Sequence, residues 1–168
     1  PFGLTEVEKR AVYESARSAG AREVRLISEP MAAALGAGLP VLEPSGSLIV
    51  DIGGGTSEIA VISLGGSVES LSLRLAGDHL NAAITDMVEQ THGIVIGERT
   101  AEALKLELGS AQRADPAPTS VVKGRDALSG IPRQVHVTSE DMRQAMLPIL
   151  RQLVEGVRQV LEATPPEL

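Results

Sequence analysis

Residues 51–58, DIGGGTSE, hold the residue types that chemistry on a phosphate requires. An apolar run, SLIVDI, delivers Asp51; Gly53, Gly54 and Gly55 follow without interruption, and Thr56 precedes a second apolar run. Three glycines permit positive φ and let the backbone approach an anion closely. The N–H groups of such a turn can form a nest for phosphate oxygens. Asp51, at a strand end, suits Mg²⁺ held through water, because Mg²⁺ keeps much of its hydration. Thr56 can position a water molecule or a phosphate oxygen. The pattern is not a Walker P-loop, since no Gly-Lys-Ser/Thr follows. It is not a dinucleotide fingerprint either, because the glycines are contiguous and lead into a strand rather than a helix. A glycine-rich hairpin with no ligand fits the same residues, and GGG between strands does not by itself separate the two.

Other polar residues carry weaker signals. Glu102 and Lys105 lie one turn apart on a predicted helix and can project from one face, where a solvated ion pair is the plain interpretation. Glu29 opens a predicted helix, a place the macrodipole favours for an acid. His79, His92 and His136 are scattered, and none reads as a metal ligand. The methionines fall at helical spacing and read as core.

The elements that must position these residues follow from local pattern. Thr5 and Glu8 have capping-box spacing, which predicts a helix to about Ala19 with Gly20 as its stop. EVRLIS, around Leu26, reads as a short strand, and EPMAAALGAGL, from Glu29, as a helix. After a loop, PVLEPSG, three strands are predicted: SLIVDI, SEIAVISL and SVESLSLRL. The last two meet in a hairpin at Gly65-Gly66. Leu71, Leu73 and Leu75 alternate with Ser70, Ser72 and Arg74, the pattern of a half-buried strand, whereas the strand leading into Asp51 reads as buried on both faces. A helix is expected from Asp78 to about Thr91, with Leu80, Ile84, Met87 and Val88 on one stripe, and another from Thr100 to Leu108. AQRADPAPTS reads as a loop, and VVKGRDALSGIPRQVHV as two strands around a turn. A long helix capped at Thr138 or Ser139 closes the order, with Met142, Met146, Ile149, Leu150, Leu153, Val157 and Val160 on its apolar face and a kink at Pro148. This order argues for α/β with a mixed sheet.

Bulk properties narrow the function classes. The chain has 168 residues, of which 43% are hydrophobic but only 1% aromatic, Phe2 and Tyr13; the core must be built from aliphatic side chains. The net charge of −7, with both signs interspersed, offers no basic patch and argues against nucleic acid. There are no cysteines, hence no disulfide framework or thiolate metal site. No signal peptide is evident, and the longest apolar run is too short to span a bilayer. Pro1 and the closing ATPPEL give both ends the look of cuts inside a longer protein.

DIGGGT resembles the second phosphate loop of the actin superfamily, which includes filament proteins, heat-shock chaperone ATPases and sugar kinases. LTEVEKRAV, GAREVRLISEPMAAALGAGLP, EPSGSLIVDIGGGTSEIAVISLGG, IGERTAEALKLELGSA and LEATPPEL are similar in particular to the MreB family of bacterial actin-like ATPases. The resemblance covers nearly the whole chain. It implies an actin-like, ribonuclease H-like α/β fold with a small α+β insertion. Residues 1–45 would be the end of a first domain and its linking helix, 46–75 and 138–168 the core of a second, and 76–137 the inserted subdomain.

It also implies roles. Glu29 would position and polarise the attacking water, with Thr56 as its partner near the γ-phosphate. Gly53, Gly54 and Gly55 would cradle phosphates, Asp51 would hold Mg²⁺ through water, and Glu102 and Lys105 would touch ribose and adenine. ATP or GTP with Mg²⁺ would be the cofactor. Partners would be further protomers in a filament, the cell-shape and cell-wall-synthesis machinery, and the membrane through segments outside this sequence. The location would be cytoplasmic, at the inner face of the membrane. The family often has Gly-Gly-Asp and a later Asp where this chain has Ala76-Gly77-Asp78 and Asn81, which weakens any role for the Asn81 position. The first phosphate loop and the adenosine loop are not in this sequence, so the chain alone is expected to hydrolyse ATP negligibly. Leu153 and Val157 are expected to be exposed in it, inviting self-association. A monomeric chaperone ATPase, a non-hydrolysing filament module and a sugar kinase are the rival readings.

Overall fold

The structure, a computed structural model, describes residues 4–168; Phe2 lies outside the described residues. The chain forms two compact units, Pro1–Arg74 with Glu155–Leu168, and Leu75–Val154.

In the first unit, α1 (Glu6–Ser18) starts at the predicted capping box. Thr5 Oγ1 accepts from Glu8 N at 3.3 Å, and Glu8 Oε2 accepts from Thr5 N at 2.8 Å. Gly20, at φ 99°, follows the helix end. The predicted strand at EVRLIS does not form. Among the described residues no strand pairs with it, and without a ladder its backbone has no reason to hold strand geometry. Helix α2 (Glu29–Gly36) follows, then β1 (Ser47–Ile52), β2 (Ser57–Ser63) and β3 (Gly66–Leu73), an antiparallel sheet in the order β1-β2-β3.

Central β2 is buried along its whole length. On one face Ala34 and Val41 pack with Ile62 and Ile49. On the other, Ile59 and Val61 pack with Leu71, Leu73, Val157 and Val160. The last two side chains come from α5 (Ser139–Ala163), which begins in the second unit and ends in the first. Gly156 admits that helix: a Cβ there would come within 2.8 Å of Leu73 Cδ1 and 3.0 Å of Ile59 Cδ1.

Three further expectations are corrected. β1 is an edge strand, and its Leu48, Val50 and Ile52 are 37%, 37% and 51% exposed; two-sided burial belongs to β2. The hairpin turn is Leu64-Gly65, not Gly65-Gly66, with Ser63 opposite Gly66. Both turn residues have positive φ, 49° and 74°, the torsions that match the twist of the flanking strands. On α5, Leu153 is buried and Val157 is half-buried, while Val154 and Leu161 are the exposed apolar residues.

The second unit contains α3 (Gly77–His92), β4 (Ile94–Val95), α4 (Glu98–Leu108), β5 (Thr119–Asp126) and β6 (Pro132–Thr138), followed by the first part of α5. Its sheet, β4-β5-β6, is also antiparallel. The predicted mixed sheet is thus two antiparallel sheets within this chain, because consecutive strands in each are not joined by a crossover helix that returns parallel. Helices and sheets do combine in each unit, as the α/β class requires. The core joins Ile84 and Val88 with Ile94, Leu104, Val122, Val137 and Met142. α5 is capped at Thr138, whose Oγ1 accepts from Asp141 N at 3.1 Å while Asp141 Oδ2 accepts from Thr138 N at 2.8 Å. Pro148 sits inside an unbroken helix. No helix among the described residues is long and apolar enough to cross a membrane.

The β5–β6 turn is organised by Asp126. Its Oδ1 accepts from Ser129 N at 2.9 Å, Ser129 Oγ at 2.9 Å and Leu128 N at 3.2 Å, and its Oδ2 from Arg133 at 3.2 Å. These bonds, that from the Ser129 N–H foremost, hold the carboxyl down at about 2. A depressed carboxylate contributes stability that is present above its unfolded value and is lost as pH falls through the folded one. The turn should therefore loosen between about pH 4, where an unfolded Asp titrates, and pH 2. Following Ser129 and Leu128 amide shifts by NMR should show that transition, and Asp126→Asn should abolish it; an unchanged acid transition in the variant would overturn the assignment.

Candidate functional site

The glycine turn is set by the β1–β2 hairpin. Residues 53–56 close it, with Gly53 N–H donating to Thr56 O at 2.9 Å. Ser57 then pairs with Ile52 and Glu58 with Asp51. Gly53, Gly54 and Gly55 are exposed and Thr56 is half-buried. The torsional reason expected for the glycines is not the operative one at Gly53 and Gly55, neither of which has left-handed φ. Their value is steric. A Cβ on Gly55 would meet nothing, and one on Gly53 only Thr56 O at 3.2 Å, so the protein leaves the space beside the turn open; the Gly53 N–H is taken by Thr56 O, and an anion would meet the N–H groups that follow it. An exposed row of such groups at a strand end is suited to an anion.

Asp51 is half-buried near the end of β1. Alternation places it on the same sheet face as Ile49, which packs in the α2 cluster with Met31 and Ala34. Glu29 is the first residue of α2, exposed, and followed by the buried Pro30. Ser28 gives α2 no side-chain cap, so its first N–H groups carry the positive end of the helix dipole at Glu29.

Glu58 is the residue the sequence analysis left without a role. It is 1% exposed, sits directly opposite Asp51, and its Oε1 accepts from Ser72 Oγ at 2.8 Å. Two carboxylates at one cross-strand position repel, and a buried one needs partners; the Ser72 hydroxyl, next in the same row across β3, is one of them. A four-residue turn at 53–56 already implies the 51–58 pairing, so the signal was present.

Glu102 and Lys105 belong to the second unit. Glu102 is exposed and Lys105 half-buried. Among the described residues no ion pair joins them; Lys105 Nζ donates to Gly77 O at 3.3 Å. The carbonyl anchors the ammonium beside the start of α3, an arrangement that leaves the Glu102 carboxylate available. His79 has a structural part: its Nδ1 accepts from Ala76 N at 3.2 Å and serves as the cap of α3. Among the described residues no three His, Asp or Glu side chains group as metal ligands.

The family model for the MreB/Mbl protein matches residues 1–168. The cell shape-determining protein MreB of Escherichia coli K12 is 51% identical over all of this chain and 48% of that protein. The cell shape-determining protein Mbl of Bacillus subtilis 168 is 40% identical over all of this chain and 50% of that protein. The chain therefore spans about half the length of the curated relatives it matches. Among solved structures, MreB5 of Spiroplasma citri bound to AMPPNP superposes with a TM-score of 0.95 at 39% identity, covering all of this chain and 50% of that one. The same protein bound to ADP gives the same score. A MamK double helical filament, 22% identical with a TM-score of 0.79 over 99% of this chain and 49% of that one, shares the fold. With a family model and relatives that each match it from end to end, this chain belongs to the MreB/Mbl family.

Proposed function

We propose that the chain supplies one part of a Mg²⁺-ATP (or GTP) site in a bacterial actin-like cytoskeletal ATPase that assembles into filaments controlling cell shape. The observation that carries this reading is the 53–56 turn, whose exposed backbone follows Asp51 on a strand and leads through Thr56 into a buried one. Gly53, Gly54 and Gly55 cradle the phosphates. Asp51 holds Mg²⁺ through water, and the donor set fits: one half-buried carboxylate at the rim suits an ion that keeps most of its waters. Glu29 orients the attacking water, Thr56 assists it, and Glu102 and Lys105 hold the nucleoside. Positioning and electrostatic stabilisation supply most of the rate, as in phosphoryl transfer generally. MreB5 structures bound to AMPPNP and ADP, matching all of this chain, support the nucleotide reading.

In this reading residues 1–45 end a first actin-like domain, 46–75 and 138–168 form the core of a second, and 76–137 form its insertion. Partners are further protomers and the cell-shape and cell-wall-synthesis machinery, at the inner face of the membrane.

The test is Mg²⁺-ATP turnover, with light scattering, in a chain of the relatives' full length that carries these residues. Slow turnover with assembly is the expected result. Turnover without assembly would favour a chaperone-type ATPase, and assembly without turnover a structural module. The 168-residue chain alone should hydrolyse ATP negligibly and bind it weakly; tight Mg²⁺-dependent binding would contradict that.

A further inference from the structure

Strand β2 is buried along its whole length and is otherwise built of small and aliphatic residues, SEIAVIS, yet it carries a carboxylate, Glu58, that is 1% exposed. A buried charge is costly, and an apolar side chain of similar volume often serves a fold as well or better. The charge therefore calls for a use, and the sheet register shows what stands beside it. Glu58 lies directly opposite Asp51 of β1 and directly opposite Ser72 of β3. Side chains so opposed share one face of the sheet, with Cβ atoms about 5 Å apart. The three form a row with the buried acid in the middle. By alternation Asp51 shares its face with Ile49, and Glu58 with Ile62; both isoleucines belong to the cluster that packs α2. On one side of the row Ser72 Oγ donates to Glu58 Oε1 at 2.8 Å. On the other stands Asp51, half-buried, where β1 enters the 53–56 turn.

We propose that Glu58, held by Ser72, is a positioning residue that turns the Asp51 carboxylate outward and strengthens its hold on a divalent cation. The inference rests on the proposed function, in which Asp51 holds Mg²⁺ through water, and adds to it a residue that does not touch the ion. Glu58 is too enclosed to meet a hydrated cation, so its effect passes through Asp51. Like charges at one cross-strand position are destabilising. The inner charge is pinned by a hydroxyl inside the sheet, so the outer one yields, and the Asp51 carboxylate is driven to the open side of the turn. A divalent cation beside Asp51 then relieves the repulsion within the pair as well as meeting Asp51 itself. Without the cation, the row is a strained arrangement of two acids and one donor.

The test uses a chain of the relatives' full length that carries these residues, and follows the binding of a fluorescent ADP analogue as Mg²⁺ is titrated at fixed neutral pH. Glu58→Gln keeps the side chain's shape and an oxygen to accept from Ser72, and removes the charge. It should raise the Mg²⁺ midpoint about tenfold, the order expected for one charge acting on a divalent ion across a partly screened gap. Its nucleotide affinity in EDTA should be no weaker than wild type, and its melting temperature in EDTA should not fall, because a repulsion has been removed. Ser72→Ala frees the Glu58 carboxylate without discharging it and should raise the midpoint about threefold. Glu58→Asp keeps the charge and should recover most of the Mg²⁺ response. A Glu58→Gln protein with the wild-type midpoint, beside an Asp51→Asn protein whose midpoint rises, would overturn the proposal and leave Glu58 a part of the fold only. An Asp51→Asn protein with the wild-type midpoint would remove the nucleotide reading, and this inference with it. Should Glu58→Gln fail to fold, Ser72→Ala decides, an unchanged midpoint counting against the proposal.

Discussion

On the proposed function, replacing Glu29 by alanine should lower Mg²⁺-ATP turnover by about 10²–10³-fold in a chain of the relatives' full length, the range expected when a group that positions or activates water is removed. That is about 3–4 kcal/mol of transition-state stabilisation. Glu29 is exposed at the first turn of α2, and the residue that anchors the helix start is the buried Pro30. Truncation should therefore leave fold and nucleotide affinity within a few-fold of wild type and act on turnover alone. Glu29→Gln keeps the shape and loses the charge, so it should resemble alanine rather than wild type. Thr56→Ala removes a half-buried hydroxyl and should fall in the same direction by about tenfold or more. A Glu29→Ala protein that turns over within threefold of wild type would remove Glu29 from the proposed mechanism and leave the turn with binding only.

Ile84→Ala should cost about 3 kcal/mol or more, because it empties a fully buried position at the centre of the second unit and such deletions leave a cavity the neighbours fill only partly. For a chain of this size the melting temperature should fall by roughly 6–12 °C. Ile84→Val, which removes one methyl group, should cost about 1 kcal/mol. Leu128→Ala provides the contrast: that leucine is 99% exposed and its loss should change stability by no more than about 0.5 kcal/mol. Equal melting temperatures for Ile84→Ala and Leu128→Ala would show that the core is not where Ile84 sits.

What was legible in the sequence was what local physics decides. Thr5 with Glu8 reports a contact within a few residues, and the Leu71/Leu73 alternation and the stripe through Leu80, Ile84, Met87 and Val88 show as patterns within one element, whatever they pack on. The failures are the long-range ones. SLIVDI is as apolar as SEIAVISL, and composition cannot say that β2 has neighbours on both sides while β1 has one. EVRLIS has strand composition but no partner strand among the described residues. β4 is two residues long, below the length at which any period shows.

The site divides in the same way. Asp51, the three glycines and Thr56 stand out in the sequence because they are contiguous. Glu58 escaped notice as a partner of Asp51 because their relation is across strands. Asn81 stood out in the sequence only as a departure from the family's Asp, and its buried, unpaired oxygen is a property of how α3 meets α4. Of the two reasons for glycine at positions 53 and 55, positive φ is not used there, and the close approach of the backbone to an anion stays part of the proposal.

The edge position of β1 has a thermodynamic consequence. Its outer N–H and C=O groups have no strand partner among the described residues, and the face bearing Leu48, Val50 and Ile52 is open to water. An unpaired edge of this kind accepts strand addition. Whatever segment pairs there binds the folded sheet and not the unfolded chain, so it stabilises the first unit by mass action. The stability of these residues is then not one number but a function of the concentration and identity of what completes the sheet. A melting temperature measured on the chain by itself is the zero-ligand limit of that function.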